Sequence, residues 1–241
     1  MWVGQQLADG LDFWGFLGSL ILGGIILGIY TGLLGYVGAK TGLSLDLLSQ
    51  RAFGEKGSYL PSAMTSFTQI GWFGVGSFVS GGTATPNFAR FAKNGKAGAI
   101  TTVVAFFIGN SLMFFFGAVS SIFVGGNDIF EVMVRLNLFY LAVLVLGLNI
   151  WTTNDNALYT AGLGLANIFH QRKKPMVLLS GIIGTVASVW LYYNFCGWLN
   201  ILNCTLPPVG TILVLAYFMN KEDFETDQPK LKTVDWFAVA G

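Results

Sequence analysis

Charge is scarce in this chain. Of its 241 residues, 13 are Lys or Arg and 12 are Asp or Glu, where soluble domains carry about a quarter of charged residues. A soluble globular protein of this length needs far more polar surface, so that class is excluded. The two signs nearly cancel, to a formal net charge of +1. The basic footprint of a nucleic-acid binder is therefore absent, and no nucleic-acid partner is expected. Histidine is rarer still: the single His170 sits in a basic loop and reads as an exposed bystander. No Ser–His or Cys–His pairing is on offer for nucleophilic catalysis. No metal-ligand cluster or phosphate-cradling motif appears either. Asp155 could act as an acid or base, but no nucleophile accompanies it. The chain is expected not to be an enzyme, and no cofactor is implied. Cys196 and Cys204 lie in apolar surroundings and read as two buried thiols, rather than as a disulfide or a metal site. Met1 opens directly onto Trp-Val-Gly with no basic segment, so no cleavable signal is expected.

Apolar residues, in contrast, make up 54% of the chain, with 32 Gly, 21 Phe and 7 Trp. Abundant glycine suits close helix packing in a bilayer, and aromatic residues suit its interfaces. These proportions describe a polytopic, all-α membrane protein with the lipid bilayer as its surroundings. Charge-free runs mark the spans: residues 13–39, rich in glycine, then 59–89, 97–127 and 138–169. Residues 175–220 are long enough for two spans, with a break near 194–198, and Pro207-Pro208 is expected to interrupt the second. A last apolar start runs over 236–241. About six or seven spans result, in one transmembrane domain over residues 1–241.

The connections carry orientation. Lys40, Arg51 and Lys56 lie in one, Arg90, Lys93 and Lys96 in the next, Arg172, Lys173 and Lys174 in a third, and Lys221, Lys230 and Lys232 in the last. Asp9, Asp12, Asp128 and Glu131 occupy the others. The positive-inside rule places the basic connections in the cytoplasm and the acidic ones outside. Alternation then fails once. Residues 59–89 have basic connections at both ends, yet about thirty residues are too many for one span and too few for two. Either the segment is re-entrant or residues are absent within it, and the join would lie near 76–77.

Two polar stretches interrupt the apolar runs. Residues 149–156 read Asn-Ile-Trp-Thr-Thr-Asn-Asp-Asn, a costly set in mid-membrane unless it meets partners, water or an ion. At helical spacing Asn149, Thr152 and Thr153 share a face, offering a carbonyl and two hydroxyl oxygens, the hard ligands of a small cation. Interhelical polar contact is the structural alternative. The second stretch holds Gln69, Trp72, Phe73, Ser77, Phe78 and the run Ser80-Gly81-Gly82-Thr83. A buried Gln donates and accepts at once, which suits the edge of a nucleobase or amide. Trp72 and Phe78 offer flat faces for stacking, or simply pack. Gly81-Gly82 permits the broken helix that marks transporter sites.

Several longer motifs point to a family. Gly28-Ile29-Tyr30-Thr31 and Gly35-Tyr36-Val37-Gly38-Ala39-Lys40-Thr41-Gly42-Leu43 resemble the nucleobase:cation symporter-1 family. Gln69-Ile70-Gly71-Trp72-Phe73-Gly74-Val75-Gly76, Gly109-Asn110-Ser111-Leu112-Met113-Phe114 and the stretch from Gly147 to Tyr159 narrow the resemblance to its cytosine-carrying bacterial branch. It covers nearly the whole chain. The resemblance implies a partial inverted-repeat, LeuT-like bundle with discontinuous helices, in the bacterial cytoplasmic membrane, that moves cytosine inward with sodium. Carried over, Gln69 and Asn149 would hydrogen-bond the base, with Ser77 contributing, and Trp72 and Phe78 would stack on it. Sodium would take the Asn149 carbonyl and the Thr152 and Thr153 hydroxyls. Family members have about a dozen spans. Relative to them this chain starts inside the first helix, lacks the helices that would fall between Gly76 and Ser77, and lacks the final ones. A nonfunctional or partner-dependent piece of such a permease is thus the alternative. Self-association is left open by the sequence.

Overall fold

The computed structural model describes residues 12–75, 84–125, 129–226, 229 and 231–240, and every regular element among them is a helix. In chain order these are α1 (Phe13–Thr41), α2 (Leu45–Phe53), α3 (Tyr59–Val75), α4 (Pro86–Ala89), α5 (Gly95–Val124) and α6 (Ile129–Arg135). Then follow α7 (Phe139–Phe169), α8 (Lys173–Tyr193), α9 (Phe195–Met219), α10 (Lys221–Glu225) and α11 (Trp236–Ala240). Among the described residues four helices are long and apolar enough to cross a bilayer: α1, α5, α8 over Lys173–Leu191 and α9 over Asn200–Met219. The 31 residues of α7 extend about 46 Å at about 1.5 Å each, also sufficient. Helices are what such a composition must form, since lipid offers no partner to an open backbone N–H or C=O. The protein is an all-α membrane protein.

Two compact units divide the chain. The first comprises Met1–Ile29 and Thr101–Thr152. Its core is small: Phe16, Leu20 and Ala118 are buried together, with Phe114 packed on them. Gly24 brings α1 close to α5, for a Cβ there would stand 3.1 Å from the Phe107 ring. Arg135 ties α6 to the end of α5, pairing with Glu131 at 2.6 Å and donating to the Val124 carbonyl at 3.3 Å.

The second unit comprises Tyr30–Ile100 and Thr153–Gly241. Its main core gathers Leu34 and Val37 of α1, Leu45, Leu48 and Phe53 of α2, Leu213 and Tyr217 of α9, and Phe224 of α10. The helix α2 is a local feature the hydropathy pattern does not announce. Ser44 caps it, accepting from Leu47 N at 3.4 Å, while Asn87 Oδ1 takes Leu45 N at 2.8 Å from 42 residues away. It stops at Gly54, whose φ of +87° favours glycine. There the late segment docks: Glu55 N donates to Lys232 O and Asp235 N to Phe53 O, both at 2.7 Å.

The expected interruption at Pro207-Pro208 does not occur. α9 continues through both prolines. Each removes one backbone donor, yet the flanking turns hold: Thr205 Oγ1 donates to Ile201 O and Thr211 Oγ1 to Pro207 O, each at 2.9 Å. Leu206, Val209 and Leu213 beside them are buried, so packing fixes the helix where propensity alone would break it. The break between α8 and α9 falls at Asn194. Cys204 is a free thiol that is exposed, not buried as the sequence suggests, and the side chain of Cys196 lies outside the described residues. His170 is exposed, edge-on to Tyr59 with ring centroids 5.8 Å apart.

Candidate functional site

Helix α3 carries an unusual density of buried polar side chains: Ser62, Thr65, Ser66, Thr68 and Gln69 are all buried, with Ser58 just before them. Thr65 and Thr68 turn their hydroxyls back onto their own helix, to Pro61 O at 2.6 Å and Met64 O at 2.7 Å. Ser62 and Ser66 lie one turn apart and face outward from the helix to the later half of α7. Ser66 Oγ donates to the Ala161 carbonyl at 3.2 Å. Asn167 Nδ2 donates to Ser62 Oγ at 2.9 Å and to Ser58 Oγ at 3.1 Å. Gly164 makes the close approach possible, because a Cβ there would overlap Ser66 Oγ and stand 2.8 Å from the Ser62 carbonyl. Gln69, three residues after Ser66 and seven after Ser62, continues this polar face and is 6% exposed.

The seam extends beyond the two helices. Gln50 of α2 donates Nε2 to Asn167 Oδ1 at 2.6 Å, and Ser62 Oγ donates to Asp46 Oδ1 at 2.7 Å. Arg90 Nη2 donates to Tyr159 OH, and the ammonium of Lys173 lies 3.4 Å from the centre of the Tyr159 ring. The sequence reading missed this seam, taking only Gln69 among the polar side chains of α3. The recurring Ser58, Ser62, Ser66, Gln69 spacing was the available signal. Trp198 was missed too. It is buried against Phe67 and Gly71 of α3, and a Cβ on Gly71 would overlap its indole.

The polar octet lies within the unbroken α7. In the first unit, Thr152 Oγ1 donates to the carbonyls of both Leu148 and Asn149, each at 3.1 Å. The Asn149 carbonyl and the Thr152 hydroxyl thus already lie side by side, at a spacing two oxygens sharing a small cation would have. Thr153 is half-buried in the second unit. Its neighbour Asn154 keeps Oδ1 buried with no partner, an unused hard acceptor of the kind that calls for a donor or an ion. Asp155 is exposed. Among the described residues no three His, Cys, Asp or Glu side chains cluster, so the oxygens offered along this helix are mainly neutral.

Of the other candidates, Trp72 has a helical backbone in α3 and its side chain lies outside the described residues, as do Ser77, Phe78 and the Gly81-Gly82 pair. Gln69 and Thr153 belong to the second unit, Asn149 and Thr152 to the first.

A family model described as a permease for cytosine/purines, uracil, thiamine and allantoin matches residues 1–85 and 74–229, two stretches that meet at 74–85. The chain is 36% identical to the cytosine permease of Escherichia coli K12 over 330 residues, covering 99% of this chain and 79% of the relative. The same figures hold for the cytosine permease of Escherichia coli O157:H7. Over 82 residues it is 34% identical to the allantoin permease of Bacillus subtilis 168, covering 34% of this chain and 16% of that one. The 330 aligned residues exceed the 241 of this chain. The long relatives therefore carry stretches with no counterpart here.

Proposed function

This chain belongs to the family of permeases for cytosine/purines, uracil, thiamine and allantoin, and on that premise we propose that it is a sodium-coupled cytosine symporter. The likeness to cytosine permeases along 99% of the chain is the observation that carries this reading. The protein would lie in the bacterial cytoplasmic membrane as a multi-pass, LeuT-like inverted-repeat bundle, alternating access about a mid-membrane site. Gln69 and Asn149 would bond the edge of the base, with Ser77 assisting, and Trp72 and Phe78 would stack on its faces. A neutral base needs neutral donors and acceptors, and a buried amide meets that need. Sodium would be held by the Asn149 carbonyl with the Thr152 and Thr153 hydroxyls. The 3.1 Å spacing of the first two supports a cation there.

Uptake of labelled cytosine by liposomes containing the purified chain, with and without a sodium gradient, tests this. Sodium-dependent uptake is expected. Equal uptake without sodium would remove the coupling. A second reading has its own support in the alignment, which is longer than the chain, and in the meeting of the two family matches at 74–85. On that reading residues are absent near 76–77, and the chain is a nonfunctional or partner-dependent piece of a permease. It predicts no uptake by the chain alone, and restored uptake only when the absent segment is supplied as a second polypeptide.

A further inference from the structure

The second unit holds a titratable group to which the transport reading assigns no task. Asp46 lies in the first turn of α2, and although α2 sits in a connection between spans it is only 5% exposed. A carboxylate has about four acceptor positions to fill. Here one side-chain donor reaches it, Ser62 Oγ at 2.7 Å. Ser62 in turn accepts from Asn167, which accepts from Gln50. Every donor in this chain points the same way, so the negative end falls on Asp46. The short α10 and the segment leading into α11 also pack on α2 and carry Lys221, Glu222, Asp223, Glu225, Lys232 and Asp235, but the charge that acts on Asp46 is Arg90. Arg90, which follows α4, acts on it through space, but among the described residues no ion pair joins them, and Arg90 donates instead to Tyr159. On its own helix Arg51 is engaged with the Asp223 carbonyl at 2.7 Å. Helix α3 presents no charged side chain, and from α7 Asn167 is the polar neighbour. A buried anion with one side-chain donor, its own backbone amide and no ion pair still has unfilled acceptor positions and is costly.

The geometry points to the Asp46 carboxyl as a proton-binding site, whose protonation tightens the seating of α2 on α3 and on the end of α7. Its ligand is a proton taken from the side of the membrane that the basic connections face. The protonated carboxyl still accepts from Ser62 through its carbonyl oxygen and no longer carries a buried charge. Burial pushes this group up to about 6 against an ordinary value of 3.8, with the Ser62 hydrogen bond, a hydrogen bond from its own backbone amide and Arg90 pulling the other way. The sign follows from linkage. A carboxyl whose value is raised when α2 is seated stabilises the seated helix most below the ordinary value, and the gain is lost as pH rises through about 6. Acid should tighten α2, and neutral pH should loosen it.

Hydrogen–deuterium exchange on the purified full chain tests this without any appeal to transport. After correction for intrinsic exchange, protection over residues 45–53 and 59–66 should rise about tenfold from about pH 8 to about pH 5. His170 touches Tyr59 at the start of α3, so both arms are run in a His170→Gln background that removes this ring contact. Asp46→Asn, which copies the neutral form, should be highly protected at both pH values. At the higher pH it should exceed the unsubstituted chain by tenfold or more. Should Asp46→Asn fold poorly, Ser62→Ala offers the second arm, removing the donor and steepening the dependence on pH. Flat protection in the unsubstituted chain would overturn the proposal, as would an equal pH dependence in Asp46→Asn or lower protection in it at the higher pH.

Discussion

The hydroxyl of Tyr30 rests on the backbone of Gly210, donating to the Leu206 carbonyl at 3.5 Å, and a Cβ at position 210 would overlap it. This contact joins α1 to α9 on either side of the two prolines, where the helix most needs support. Gly210→Ala should therefore destabilise the protein, although alanine is the better helix former by about 1 kcal/mol. Overpacking of this kind costs about 1–3 kcal/mol. A lower thermal midpoint in detergent is expected, partly restored by Tyr30→Phe in the same chain. An unchanged midpoint would mean that α1 and α9 can separate freely.

Glycines that touch nothing should behave oppositely. Gly23 has open space around it, whereas a Cβ on Gly38 would stand 2.7 Å from the Pro86 Cα. Backbone cannot yield as a flexible side chain can. Gly38→Ala should lower the thermal midpoint, and Gly23→Ala should leave or raise it. Equal effects of the two substitutions would contradict the close approach of α1 and α4.

Asn167 is the node at which α2, α3 and α7 meet. Asn167→Leu fills the same space, leaves Gln50 Nε2 without its acceptor and removes the bond that Ser58 and Ser62 each accept, though both hydroxyls keep the bonds they donate. An unsatisfied polar group costs about 1–3 kcal/mol, so a loss above that of an exposed polar substitution is expected in thermal unfolding. Asn167→Leu unfolding at the parental temperature would remove the node from the stabilising set.

Gln69→Leu tests the proposed base contact. The helix is expected to persist, while cytosine affinity falls by about 1–3 kcal/mol, since a site built to pair a polar edge would be left unpaired. Calorimetric titration with cytosine in saturating sodium reads this directly. Full affinity in the variant would take Gln69 out of the site.

Thr152→Ala separates the cation from the base. The hydroxyl bonds only carbonyls of its own helix, at Leu148 and Asn149, so its loss should leave fold and thermal midpoint close to the parent. The sodium concentration for half-maximal cytosine binding should rise, while affinity in saturating sodium changes less, and Thr152→Ser should restore the parental value. Unaltered sodium dependence in Thr152→Ala would remove Thr152 from the cation site.

The sequence by itself determined that this is an all-α membrane protein, because long charge-poor runs can satisfy their backbone in lipid only as helices. It also located α1, α5, α7, α8 and α9 to within a few residues. It marked the octet at 149–156 as the polar insertion in α7, for the cost of such residues in an apolar run is a local property. Tertiary structure decided the rest. Whether Pro207-Pro208 would break α9 depended on neighbours that bury the surrounding turns. Whether Asp46 was a surface residue or a buried one depended on Ser62 and Asn167. The Gln50–Asn167 bond spans 117 residues and the Asn167–Ser62 bond 105. No periodicity encodes partners that distant, since only packing the helices together brings their polar faces into register.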